Sequence, residues 1–187
     1  MSQDKPDATP AVRTSNQSFF FQSDIFSAGR LIARRARPGG VVEEPARVTP
    51  AQMDRWAGTV DSWDVCDQAC QNLFRYTPFA FDKAAEWARA RPEFVRRAGF
   101  SLMAGLAVKA KDAPDARFEE FLPLIAEPAA DQRNMVKKAV NWALRQIGKR
   151  NSHLCRAAIR TAEEIARQDS PSARWIARDA LRELRRL

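Results

Sequence analysis

The chain has 187 residues, 45% of them hydrophobic and 29% charged, which is enough apolar content for one domain with a substantial core. Lys and Arg total 31 against 23 Asp and Glu, a net charge of +8 and a pI near 10.0, so the composition suits an anionic partner such as nucleic acid or a membrane surface. No apolar run approaches the roughly 20 residues that span a bilayer, and Phe19-Phe20-Phe21 sits in too polar a context for a secretory signal. We expect no membrane partner. Cys66 and Cys70 lie four apart, Cys155 is distant, His153 is the only histidine and no CxxC occurs. Such residues build neither a disulfide framework nor a four-ligand metal site. Reduced thiols in a cytoplasm, no metal and no cofactor are therefore expected.

Residues 1–41 differ from the rest. They are rich in Ser, Gln, Asp, Pro and Arg and show no sustained helical period. Arg34, Arg35 and Arg37 precede Pro38-Gly39-Gly40, a strong breaker. We read this leader as disordered or atypical, with a short helix near Ile25 to Ala36. From Val42 to Leu187 the chain reads as helix after helix. Thr49-Pro50 starts one that runs to about Gly58, with proline in the first turn. Asp61 and Ser62 can cap a second, to about Arg75. Others are predicted at 79–91, 92–109, 115–126, 131–149, 153–167 and 171–187, with Pro, Gly, Asp, Asn and Ser at the joints. No alternating strand pattern appears, so the fold class is all-α.

The second of these helices is unusual in a basic protein. DSWDVCDQACQNLF, Asp61 to Phe74, carries three aspartates and no cation. Asp61 and Asp64 belong to the first turn, where free backbone N–H groups favour carboxylates. Asp67 lies past that turn, and its helical neighbours Trp63, Cys70 and Phe74 are apolar. A carboxylate placed there is costly unless it is paired or used. One arrangement is a salt bridge to a cation such as Arg97; the other is a chemical role.

Asn134 to Arg150, NMVKKAVNWALRQIGKR, has two faces. Val136, Val140, Ala143, Leu144 and Ile147 form a buried stripe at about 100° per residue. Lys138, Trp142, Arg145 and Lys149 share the opposite face, at spacings of four, three and four. A tryptophan among exposed cations suits a polyanion, or else packs against a neighbouring helix under lysine stems.

The helices also repeat. FVRRAGFSLM from Phe94 and MVKKAVNWAL from Met135 lie 41 residues apart, and ALRQI from Ala143 and ALREL from Ala180 lie 37 apart. A period near 40 with two helices per unit is the pattern of a HEAT-like or armadillo-like superhelical solenoid. The second helix of each unit carries cations: Arg96 and Arg97, then Lys137, Lys138, Arg145 and Lys149, then Arg174, Arg178 and Arg182. Stacked units would set these side by side as one curved basic surface.

DSWDVCDQACQNLF, EFVRRAGFSLMAGLAV, NMVKKAVNWALRQIGKRN and SARWIARDALREL, in that order and spacing, resemble the AlkD-type bacterial DNA alkylation repair family, whose members are HEAT-like repeat DNA glycosylases. The similarity covers about Val42 to Leu187. W-D-x-x-D from Trp63 and K-K-A-x-x-W-A-L-R are its specific parts. The resemblance implies that Asp67 is the catalytic carboxylate, that Trp63 and Trp142 flank the lesion sugar, and that Arg97 and Arg145 hold nearby phosphates. Lys138 and Lys149, on the same face as Arg145, and Arg96, beside Arg97, complete the expected DNA contacts. The expected partner is double-stranded DNA, bound by a monomer. Before Val42 the leader does not look like the family's first helices, so we expect N-terminal repeats of the family to be missing.

The expected function is DNA repair by hydrolysis of the N-glycosidic bond of positively charged alkylated purines. The alternative is a non-catalytic HEAT-like DNA-binding protein that recognises distorted or branched DNA, with Asp67 as a structural partner.

Overall fold

The structure, a computed structural model, describes residues 45–187. The leader to residue 41, the helix expected at 25–36 and the start of the repeat region at Val42 lie outside them. Within them run α1 (Pro50–Thr59), α2 (Trp63–Asn72), α3 (Ala80–Ala88), α4 (Glu93–Lys109), α5 (Asp115–Glu119), α6 (Phe121–Ala126), α7 (Asn134–Gly148), α8 (Ser152–Ala166) and α9 (Pro171–Leu184). Short 3-10 turns occur at Pro45–Arg47, Phe74–Tyr76 and Glu127–Ala130, and no strand occurs among the described residues.

Local chemistry sets several helix ends. At α1 the Thr49 hydroxyl accepts from the Gln52 N–H at 3.2 Å, and the Gln52 side chain accepts from the Thr49 N–H at 2.9 Å. This reciprocal pair satisfies two donors that the helix itself leaves free, and Pro50 follows where no N–H is needed. Asn151 caps α8 by accepting from the Leu154 N–H at 2.9 Å. The single helix predicted at 115–126 is instead two, α5 and α6, broken at Glu120. Pro123 is the reason: it has no N–H for the Glu119 carbonyl, and its ring crowds that carbonyl. The helix predicted from Asp131 begins at Asn134, because the Asp131 carboxylate accepts from the backbone and side chain of Arg133.

The layer that carries the candidate site is recognised by its register. Lys137 lies over the Trp175 ring at 5.2 Å, Asn141 donates to Asp179 at 2.7 Å, and Arg145 pairs with Glu183. Each step of four residues on α7 matches a step of four on α9, at a constant offset of 38. Antiparallel helices would keep a constant sum instead, so α7 and α9 run parallel. The Cys66 and Cys70 thiols reach the Phe94 and Ala98 carbonyls, both 28 residues on, so α2 and α4 are parallel too. Arg97 reaches the Met135 carbonyl from α4 to α7. The inner layer is therefore α2, α4, α7 and α9 in chain order. Helices α1, α3, α5 with α6, and α8 form the other layer, and the two layers bury one continuous core. This is the HEAT-like, armadillo-like solenoid that the repeats predict. The Val136, Val140, Ala143, Leu144 and Ile147 stripe is wholly buried.

Pairing within a repeat depends on close approach. A Cβ on Gly99 of α4 would lie 2.5 Å from the Ala88 nitrogen and 2.9 Å from the Trp87 carbonyl carbon of α3. Alanine at position 99 would gain about 1 kcal/mol of helix propensity, but these backbone atoms cannot rotate away. Overpacking of this kind costs roughly 1–3 kcal/mol. Gly99→Ala is expected to lower stability by up to about 2 kcal/mol net, read from urea midpoints. An unchanged midpoint would show that α3 and α4 part freely.

Candidate functional site

The first turn of α2 is occupied by Asp64. Ser62 stands at the N-cap but makes no capping bond; its hydroxyl donates to Asp64 at 2.7 Å. That bond, followed by the Val65 N–H, holds the Asp64 carboxyl below its ordinary value. One turn further on, Asp67 meets Arg97 in a two-pronged pair. Nε donates to Oδ1 at 3.1 Å and Nη2 to Oδ2 at 2.7 Å, while Nη1 donates to the Met135 carbonyl at 2.8 Å. The salt bridge that sequence chemistry offers as one arrangement for Asp67 is thus formed.

A carboxylate has about four acceptor positions and a guanidinium five N–H groups. Asp67 keeps acceptor capacity beyond the two positions that Arg97 takes, and its side chain is 19% exposed. Arg97 is 6% exposed. Its guanidinium carbon lies 5.9 Å from the centre of the Trp63 ring, which is 55% exposed. Trp63, Asp67 and Arg97 are therefore brought together at the start of the inner layer. Arg97, expected on a phosphate, lies beneath the surface and spends three N–H groups on the protein itself.

Arg96 is placed elsewhere. Adjacent helical residues point about 100° apart, so it cannot share the face of Arg97. Its Nε donates to the Ala90 carbonyl at 2.7 Å and its Nη1 to Asp131 at 3.1 Å. Arg96 belongs to a brace between α4 and the approach to α7, not to the basic strip. The side-chain bonds of Arg133, against an opposing penalty from burial and with help from Arg96, hold the Asp131 carboxyl down at about 2.

On α7, Lys138 is exposed, and Trp142 is half-buried and outside the apolar core. Arg145 and Lys149 share one partner that sequence reasoning missed: Glu183 of α9 pairs with both. Asp179, one turn back, lies 3.8 Å from the Arg145 Nε. The Lys149 ammonium, against an opposing penalty from burial and with help from Arg145, holds the Glu183 carboxyl below its usual range. The signal that could have found Glu183 is the repeat itself, because the partner of an inner-layer residue stands one repeat further along.

A family model described as DNA alkylation repair enzyme matches residues 27–184. The chain belongs to this family. As a DNA alkylation repair family member it is matched into its leader, upstream of Val42, and as far as the last residue of α9. No curated protein matches it. A solved structure described as "a new family of proteins related to the HEAT-like repeat DNA glycosylases with affinity for branched DNA structures" is similar in fold. Its TM-score is 0.57 at 17% identity, over 74% of this chain and 64% of that one. The chain thus spans just under two thirds of the protein it resembles. Among the described residues no His, Cys, Asp and Glu side chains group to hold a metal, and no helix is long and apolar enough to cross a membrane.

Two measurements follow from these placements. A carboxyl held below its ordinary value stabilises the fold above that value and loses the effect as pH falls through the lowered one. For Asp131 the window runs from 3.8 down to about 2. Asp131→Asn is expected to remove about 2 kcal/mol at neutral pH and to flatten acid unfolding across that window. An unaltered acid limb would show that the brace contributes nothing.

Trp142→Ala is expected to cost less than about 2 kcal/mol, whereas a core tryptophan costs roughly 3–5. Trp87, 3% exposed and donating to Asp54 at 2.9 Å, supplies the core comparison. Equal losses in thermal melts would place Trp142 in the core.

Proposed function

We propose that the protein hydrolyses the N-glycosidic bond of positively charged alkylated purines in duplex DNA. One observation supports this most: the Asp67 carboxylate, fixed by a buried arginine, stands beside an exposed tryptophan on the inner layer. Alkylation of a ring nitrogen makes the purine a cation. When the bond from C1′ to the base breaks, its electron pair leaves with the base and neutralises it. The sugar is left with oxocarbenium character, as in other glycoside hydrolysis. Asp67 would stabilise that charge and accept a hydrogen bond from the attacking water. The water oxygen bonds to C1′ and its proton passes to solvent.

Trp63 and Trp142 would add cation–π attraction worth roughly 0.5–2 kcal/mol each. Lys138, Arg145 and Lys149 would follow the phosphates, which fix position rather than sequence and make binding salt-dependent. Arg97 serves this chemistry chiefly by orienting Asp67.

Asp67→Asn is expected to slow single-turnover release of a methylated purine by about 100-fold or more. Affinity for undamaged duplex, where the strip dominates, should change little. Release at the wild-type rate would remove Asp67 from the chemistry.

The second reading, non-catalytic binding of distorted or branched DNA, draws on the fact that both Asp67 oxygens are already engaged by Arg97. The protein of similar fold is itself described as having affinity for branched DNA structures. Wild-type protein that retains a four-way junction and releases no methylated purine would favour it.

A further inference from the structure

Arg145 and Lys149 face the partner expected of a basic strip, yet both are already bound to an anion of their own chain. Glu183 projects from α9 between them and pairs with each. It is not a stray surface contact. The Arg145, Lys149 and Glu183 side chains are 27%, 35% and 29% exposed, so all three are partly withdrawn from water. Asp179, one turn before Glu183, accepts from Asn141 at 2.7 Å and pairs with Arg182. Two carboxylates therefore lie along a seam that also holds three cations.

The seam is incompletely satisfied. The buried Arg145 Nε has no hydrogen-bond partner among the described residues, and Asp179 Oδ2 stays 3.8 Å from it. The buried Asn141 Oδ1 likewise lacks one. Glu183 thus takes one N–H of a guanidinium that could donate two parallel bonds to a single anion. A phosphate, with its several oxygens, fits that fork as well as a carboxylate does. A backbone phosphate that paired with both Arg145 and Lys149 would have to displace Glu183 from between them.

We infer that Glu183 competes with DNA phosphates for Arg145 and Lys149 and so limits the affinity of the protein for undamaged duplex. The inference rests on duplex DNA being the partner of the strip, as proposed above. It divides the strip in two. Lys138 is exposed with no acidic partner among the described residues and gives its charge to any duplex. Arg145 and Lys149 give theirs only where the backbone approaches closely enough to displace Glu183. A protein searching long undamaged DNA gains from such an arrangement, because each unmasked cation adds to undiscriminating affinity.

The test is a salt titration of binding to a short undamaged duplex of mixed sequence. Each phosphate newly neutralised steepens the slope of log K against log salt by about 0.9, close to tenfold in affinity at 0.1 M salt. Glu183→Gln is expected to tighten binding by about tenfold and to steepen the slope by about one. Glu163→Gln is the control: it removes the same charge from the Arg185 pair, formed at 2.8 Å outside the seam, and should change affinity less than about twofold. Equal gains from both variants would mean that only net charge matters, and an unchanged or weakened Glu183→Gln would equally overturn the competition.

If Glu183→Gln melts below the assay temperature, single neutralisations of the cations decide. Lys149→Gln should then weaken duplex binding less than about twofold, and Lys138→Gln several-fold with a slope lower by about one. Equal losses would sink the inference. Wild-type protein with no duplex affinity at all would instead remove the DNA reading, and the competition with it.

Discussion

One guanidinium ties three of the four inner helices together. Arg97 starts on α4, grips Asp67 on α2 with two donors and reaches the Met135 carbonyl on α7 with a third. A charged group with so little exposure is tolerated only when its donors are well matched. Here the match also sets a position. The carboxylate cannot turn without losing a bond, and α2 cannot slide along α4 without separating the pair. The Cys66 and Cys70 thiols, each against a carbonyl of α4, reinforce the same register with weaker contacts. The group read as the chemical centre is thus also the joint on which the layer is aligned.

Much of this was legible in the sequence because it depends on neighbours within one helix. The buried stripe of α7, the helix start at Thr49-Pro50 and the two-helix repeat all follow from local spacing. What was not legible depends on partners a repeat away. Comparing ALRQI with ALREL sets Arg145 level with Arg182. The observed partner is Glu183, one residue further. Composition marks Arg96 and Arg97 as two equivalent cations, but their angular separation sends one to a brace and the other to the carboxylate. The break at Glu120 was written in Pro123 and outweighed by an apolar pattern that runs through it.

The basic character of the chain is therefore not the same as a basic surface. Several cations are spent internally: Arg96 and Arg133 on Asp131, Arg97 on Asp67, and Arg150 on the Ala107 and Ala113 carbonyls beneath the Phe118 ring. Lys83 is taken by Asp54 and Glu86, tying α3 to α1. Net charge predicts the sign of the partner, but burial and pairing decide which residues present it.

The common direction of the inner helices has an electrical consequence. Each helix carries the equivalent of about half a positive charge at its N-terminus and half a negative charge at its C-terminus. Antiparallel neighbours would cancel these fields; the parallel α2, α4, α7 and α9 add them. Trp63 opens α2, Arg97 lies in the second turn of α4 and Met135 in the first turn of α7, so Asp67 sits toward the positive edge of the layer. Arg145 and Lys149 lie at the opposite edge, at the end of α7. There they offset the negative helix ends. The layer is thus polar end to end: peptide groups make one edge positive, while at the other the cations balance both the helix ends and their own carboxylate.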